Sequence, residues 1–265
     1  MRKVKIGVLI ALCAGALAAY AWAGQAQVAT AAPDPKQVED LVYANRILAD
    51  QDVLDGFGHV SARDVKDPSR FLMARSMAPG VVTRGDILEY NSEGEPIDAR
   101  GRAVYSERYI HAAIYRARPD VMAIVHSHSP EVIPFTVTGT ALHPVYHMSA
   151  FLGSGAPIFE IRDAAGMTDM LVRDNKLGDA LAKSLGNSAV VLMRGHGYVA
   201  VGNAVPQVVF RAIYTQINAR LQAQAAQLGA VKFLSPEESA KASVSIDAVV
   251  SRPWELWKAR VGKIE

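Results

Sequence analysis

Apolar positions along this chain recur with two different periods. Val38, Leu41, Val42, Ile47 and Leu48 keep helical spacing and predict a helix over 36–51. After Gly56-Phe57-Gly58 the pattern changes to strand-like alternation through His59-Val60-Ser61-Ala62-Arg63. Phe71–Ala74 and Ile87–Asn91 predict two further strands, with a turn at Asn91-Ser92-Glu93-Gly94. Ser106–Tyr115 is helix-like, with Ser106 as a possible N-cap and Glu107 in the first turn, and Pro119 closes it. Val121–Val125 is a short apolar run that predicts a buried strand. A short helix is expected over 130–138, a strand over 142–148 that carries His143 and His147, and a strand over 158–161. Pro144 would place the 142–148 strand at an edge or delay its start. Asn175–Leu185 is amphipathic and stops at Gly186, Ala189–Met193 is a buried strand, and Tyr198–Val201 leads away as another. Pro206–Leu228 predicts a long helix and Pro253–Lys258 an aromatic-bearing one. No internal repeat and no long linker divides residues 36–265, which are expected to form one domain.

The first residues follow another logic. Arg2, Lys3 and Lys5 precede an uncharged apolar run from Ile6 to about Ala23, and Ala21-Trp22-Ala23 is an A-x-A-like cleavage site before Gly24. Residues 1–23 are therefore expected to be an export signal, with an uncleaved membrane anchor as the alternative, and residues 24–35 a flexible leader. The expected compartment is the periplasm, with no membrane attachment after cleavage. The whole chain carries 28 basic and 26 acidic residues. Without the three basic residues of the signal the balance is close to neutral, so the sequence pI of 8.6 describes the signal more than the domain. No basic stripe points to nucleic acid. The single cysteine, Cys13, lies in the signal, which excludes a disulfide or a cysteine nucleophile in the mature chain.

Candidate chemistry begins at Val125-His126-Ser127-His128-Ser129. Two histidines at i and i+2 on extended backbone point to one face, and neutral imidazoles are good ligands for zinc and its neighbours. Two hydrogen-bonded structural histidines would give the same pattern. His196 stands between Gly195 and Gly197 at the end of a buried strand, where small neighbours let its ring reach inward, and it is the natural third ligand. Glu107 reads either as a charge favoured by the helix dipole or as a general base beside the metal.

In this order, Ser106-Glu107, His126-Ser127-His128 and Gly195-His196-Gly197 resemble the class II aldolase/adducin family, and Arg118-Pro119-Asp120 belongs to the same pattern. The resemblance spans about 36–228. It implies an α/β fold, a three-layer αβα single domain around a mainly antiparallel sheet. It also implies a homotetramer with active sites at subunit boundaries. By the same likeness His126, His128 and His196 hold a divalent metal, zinc first, with manganese, cobalt or iron as alternatives, and Glu107 is the acid/base residue.

The departures bear on substrate. Where sugar-phosphate aldolases of the family have an asparagine, this chain has His59. Where they have two serines that hold phosphate, it has Tyr105-Ser106. Losing an amide and a hydroxyl and adding two rings favours a flat or aromatic acid, with His59, Tyr105 and Ser106 as substrate-binding residues. Arg75 and Arg102 are candidates to pair a substrate carboxylate, beside the favoured reading of each as a solvated surface charge. His147 falls where those aldolases carry a tyrosine proton donor, so it is a second acid/base candidate beside its reading as a structural histidine. The pattern is similar to the decarboxylase-like branch that includes 3,4-dihydroxyphthalate decarboxylase. The implied activity is metal-dependent carbon–carbon cleavage of a small molecule, first the decarboxylation of a hydroxylated aromatic or oxo acid. Aldol cleavage of a non-phosphorylated hydroxy-carbonyl compound, a non-catalytic adducin-like binding role and an iron-dependent oxygenase are the alternatives.

Overall fold

The computed structural model describes residues 32–264, so the expected signal and most of the leader lie outside the described residues. Helix α1 (Pro35–Asp50) opens with proline in its first turn, and the Asp34 side chain accepts from the Gln37 amide. Then follow β1 (His59–Arg63), β2 (Arg70–Ala74), β3 (Ile87–Asn91), α2 (Arg108–Ala117) and β4 (Ala123–Ser127). The second half holds α3 (Ile133–Val137), β5 (Ile158–Phe159), α4 (Ile161–Ala165), α5 (Asn175–Leu185), β6 (Val190–Met193) and β7 (Gly197–Gly202). Three helices close the described chain: α6 (Val205–Leu228), α7 (Pro236–Asp247) and α8 (Ser251–Val261). No helix among the described residues is long and apolar enough to cross a membrane.

The seven strands form one sheet in the order β3-β2-β1-β4-β7-β6-β5. Every neighbouring pair is antiparallel except β5 with β6. Side chains alternate across this sheet and feed two cores. Val60, Ala62, Ala123, Val125, Tyr198 and Ala200 pack on the side of α1, α6 and α8. Ile124, Val191, Met193, Val199 and Val201 pack on the side of α2 and α5. The fold is thus the expected α/β arrangement of helices on both faces of a mainly antiparallel sheet. The same parity places His59, Ser61 and His126 on the α2 side, because each alternates with a residue of the other core.

Three local expectations need correction. Glu107 is the N-cap residue of α2, one place before the helix, and not a member of its first turn. Residues 142–148 form no strand; the extended segment is followed by a 3-10 turn over His147–Leu152. Helix α6 takes the place of a partner strand there. Asn218 and Gln222, one turn apart, accept from the Val145 and His143 amides and donate to the His143 and Ala141 carbonyls. Side-chain amides so satisfy backbone groups that a sheet would otherwise pair. The strand expected over 158–161 is only two residues long, because Glu160 caps α4 through the Arg162 amide. Helices α4 and α7 were not expected.

Candidate metal centre

A tight connection after α2 turns the chain straight into β4. Arg63 on β1 fixes that turn: its guanidinium donates to the carbonyls of Pro68, Tyr115, Arg118 and Val121. The helix runs back along β4, so its N-terminal residue Glu107 arrives at the strand end that holds His126. Across the sheet β7 is antiparallel to β4, with Tyr198 opposite Ser127, which brings the β6–β7 turn and His196 to the same end. Gly195 adopts a left-handed conformation with φ of 60°. A Cβ on Gly197 would fall 2.0 Å from the Ser127 carbonyl oxygen. The turn can deliver the imidazole only because both flanking residues lack a side chain.

Four donor atoms converge there. His128 Nε2 lies 3.0 Å from His126 Nε2 and 3.1 Å from His196 Nε2. Glu107 Oε2 lies 3.5 Å from His126 Nε2 and 3.4 Å from His196 Nε2. All four donors fall within 4.8 Å of one another. The outer ring nitrogens explain the aim: His126 Nδ1 donates to the Tyr198 carbonyl at 3.1 Å and His196 Nδ1 to the Met170 carbonyl at 2.9 Å. A carbonyl can only accept, so in the neutral rings the proton sits on Nδ1 and the Nε2 lone pair faces the cluster. Glu107 Oε1 accepts from the Val172 amide at 3.0 Å, which turns Oε2 inward.

Lone pairs of two imidazoles and a carboxylate pointing at one spot repel unless a cation or shared proton lies between them. Three nitrogens and one oxygen in a buried setting are the donor set that zinc and its neighbours favour, so the residues fit a divalent metal. Electrostatics agree. Burial alone would push the Glu107 carboxyl up, but the neighbouring imidazoles of His126 and His196 together hold it below its ordinary value. Burial likewise opposes charge on His196, yet the Glu107 carboxylate raises it overall. Burial, then His126 and His196, depress His128 to about 3.

The open side faces a cleft of about 350 Å³. His59, Tyr105, Ser106, Glu107, His128 and the exposed Phe57 line it. Tyr105 packs its ring 4.6 Å from that of His59 and donates its hydroxyl to the Met77 carbonyl. No lysine or arginine is among the cleft's lining residues.

Three candidate site residues are elsewhere. Arg75 does not line the cleft; its guanidinium is committed to Asp86 at 2.7 Å. Arg102 likewise donates to the Ala99, Gly85 and Asp98 carbonyls. The structure does not bring His147 to the cluster within one chain. It is exposed and lines a separate cavity with Met148, Phe210, Tyr214 and Pro253. Sequence reasoning missed His111, wholly buried behind His59, because its only signal was a histidine on the apolar side of an amphipathic helix.

Comparison with known proteins agrees with this architecture. The family described as Class II Aldolase and Adducin N-terminal domain matches residues 39–223. The chain is 36% identical over 248 residues to Decarboxylase tropJ of Talaromyces stipitatus, covering 84% of this chain and 93% of that one. It is 28% identical over 219 residues to the 3,4-dihydroxyphthalate decarboxylase of Arthrobacter keyseri, covering 77% and 84%. Among solved structures, L-fuculose 1-phosphate aldolase from Glaciozyma antarctica superposes with a TM-score of 0.68 at 23% identity, covering 83% and 86%, a likeness of fold. Shared sequence along most of the domain, with the same fold, makes this chain a member of the class II aldolase and adducin family.

Proposed function

We propose that the chain is a divalent-metal-dependent lyase that decarboxylates a hydroxylated aromatic or oxo acid. The observation that carries this reading is the convergence of His126, His128, His196 and Glu107 on one point beside a cleft lined by rings and without a lining cation. The decarboxylase names of its relatives support the choice of reaction. His126, His128 and His196 would hold the metal, zinc first among the candidates. Such an ion, when bound, supplies Lewis-acid stabilisation of negative charge on substrate oxygens.

The chain's own groups do the rest. Decarboxylation replaces a carboxylate by a proton and releases carbon dioxide, so a group must manage that proton. Glu107, ionised and turned inward by the Val172 amide, is placed to take a proton from a substrate hydroxyl and return it. The rings of Tyr105 and Phe57 flank the space a flat substrate would fill, and neither offers the charge a phosphate needs.

Metal analysis of the purified protein, followed by a carbon dioxide release screen over hydroxylated aromatic acids, tests the reading. Metal in stoichiometric amount and chelator-sensitive carbon dioxide release are expected. Formation of two carbonyl-bearing fragments without carbon dioxide would replace it by the aldolase reading, which the fold likeness to L-fuculose 1-phosphate aldolase keeps in view. Oxygen uptake would move it to an oxygenase. We also propose export to the periplasm and assembly as a homotetramer; N-terminal sequencing of the exported protein and light scattering after gel filtration test these.

A further inference from the structure

Behind the cleft lies a hydrogen-bonded chain that the proposed reaction does not use. His59 Nδ1 and His111 Nε2 are 2.6 Å apart, His111 Nδ1 and Ser61 Oγ 2.6 Å, and Ser61 Oγ and Tyr115 Oη 2.8 Å. All four residues are buried: His111 and Ser61 entirely, His59 at 3% exposure and Tyr115 at 5%. Strand pairing sets the start of the chain, because β1 runs antiparallel to β4 with His59 directly opposite His126. With Nδ1 engaged, His59 turns its other ring edge to the cleft, and its Nε2 meets no hydrogen-bonding partner among the described residues. Desolvation, with His126 as a neighbouring charge, holds His111 down to about 3. Desolvation first, then His111 and His126, depresses His59 well below the ordinary range. Ring nitrogens 2.6 Å apart need one donor and one acceptor, so they share one proton, and two imidazoles this buried, with no carboxylate bonded to either among the described residues, are neutral with one N–H each.

Four groups in series allow three orderings. In the first, Tyr115 donates to Ser61, Ser61 to His111 Nδ1, and His111 Nε2–H to His59 Nδ1, which leaves the His59 proton on Nε2. In the other two His59 Nδ1–H donates to His111 and His111 Nδ1–H to Ser61, so His59 presents a bare Nε2 and one hydroxyl proton, that of Ser61 or of Tyr115, is left over. Neither hydroxyl has another hydrogen-bonding partner among the described residues. Arg63, whose guanidinium carbon lies 4.8 Å from the Tyr115 ring centroid, only donates, and Phe71 packs its ring 5.4 Å away. A buried donor without a partner disfavours both of these orderings by roughly ten- to a hundredfold.

We infer that Tyr115, Ser61 and His111 fix His59 as an Nε2–H donor to the cleft, so that this position recognises an acceptor oxygen of the substrate, its carboxylate or carbonyl. His59 touches the substrate; His111, Ser61 and Tyr115 are positioning residues. The recognition half rests on the acid-cleaving reading above, whereas the ordering of the chain does not.

Imidazole nitrogen NMR of the zinc-loaded full-length protein, labelled with 15N-histidine, tests this without turnover. In the wild type His59 is expected as the Nε2–H tautomer. In Ser61→Ala, His111 loses what sets its ordering, and His59 is expected to become a mixture. Added salicylate, a hydroxylated aromatic carboxylate, is expected to shift the His59 Nε2–H signal. His59→Leu should weaken salicylate binding by about tenfold or more, and His59→Gln, which keeps an N–H near the same place, should recover most of it. A wild-type His59 protonated on Nδ1, or an unchanged tautomer in Ser61→Ala, overturns the ordering. Salicylate that leaves the His59 signal in place, or binds His59→Leu as well as wild type, overturns the recognition. Failure to release carbon dioxide from any acid would overturn the decarboxylase reading alone.

Discussion

Glu107→Gln separates holding a metal from moving a proton. The amide oxygen can keep the Val172 N–H bond that Oε1 now accepts at 3.0 Å. The amide NH₂ then takes the place of Oε2, 3.4–3.5 Å from the Nε2 atoms of His126 and His196, without a change of volume. The fold and the three imidazoles stay, and so should the metal. What disappears is an ionised group able to accept and return a proton. General acid–base catalysis contributes about 10²–10⁴ in rate, or roughly 2.7–5.5 kcal/mol of barrier. The variant is expected to lose that factor in kcat, with metal content by plasma emission near the wild-type value and an unchanged circular dichroism spectrum. Activity within tenfold of wild type would refute the acid/base assignment. Parallel loss of metal would make Glu107 a ligand.

The remaining expectations concern stability. A metal present at a hundred times its Kd stabilises the fold by about 2.7 kcal/mol. A chelator should therefore lower Tm by roughly 5–10 °C for a domain of this size, and His128→Ala should show no metal-dependent shift by scanning calorimetry. Arg63→Met strands the four carbonyls its guanidinium now serves, and a urea melt should read a loss of about 2–4 kcal/mol. His111, neutral in the fold and held at about 3, takes up a proton near its ordinary value of 6.5 when unfolded. Its contribution is then complete above 6.5 and is lost as pH falls from 6.5 towards 3. Urea melts across that window should show stability falling by up to about 1.4 kcal/mol per pH unit for each such group, with a shallower slope in His111→Leu.

The hydrophobic pattern carried most of the elements, because strands buried on both faces and amphipathic helices leave unambiguous periods. Asn175–Leu185 is a helix with those bounds. The pattern misled where backbone groups are satisfied by side chains: residues 142–148 look like a strand, and the stretch before the 3-10 turn at His147 is extended, but Asn218 and Gln222 are its partners. Helix α7 was overlooked although Ser235 and Glu238 form a capping box, since the helix buries little and shows no apolar stripe. In the site, the two histidine motifs were legible as ligand candidates because such spacing is local. Whether Glu107 reaches them was not, because it depends on which way α2 runs along β4. Arg75 failed for a related reason: a sequence shows a charge but not the carboxylate of Asp86 that already holds it.

Register also separates the cluster from the position beside it. The four clustered side chains come from a strand end, a glycine-flanked turn and a helix start, and each is held by backbone packing; a Cβ at Gly197, for instance, would meet the Ser127 carbonyl. Position 59 is different. Its backbone is fixed opposite His126, but its side chain lies outside the cluster and lines the cleft, with its ring 5.1 Å from that of His126. In the proposed reaction, whatever stands there meets the substrate beside the metal. A lone imidazole at that place could present a donor or an acceptor, and the choice would drift with its surroundings. A chain of Tyr115, Ser61 and His111 behind it removes the choice. That is a costly device for a merely structural histidine, since each member is a polar group withdrawn from water and must be fully paired. It becomes intelligible when the outermost proton has a fixed task, which is to meet the same oxygen in every substrate molecule that enters.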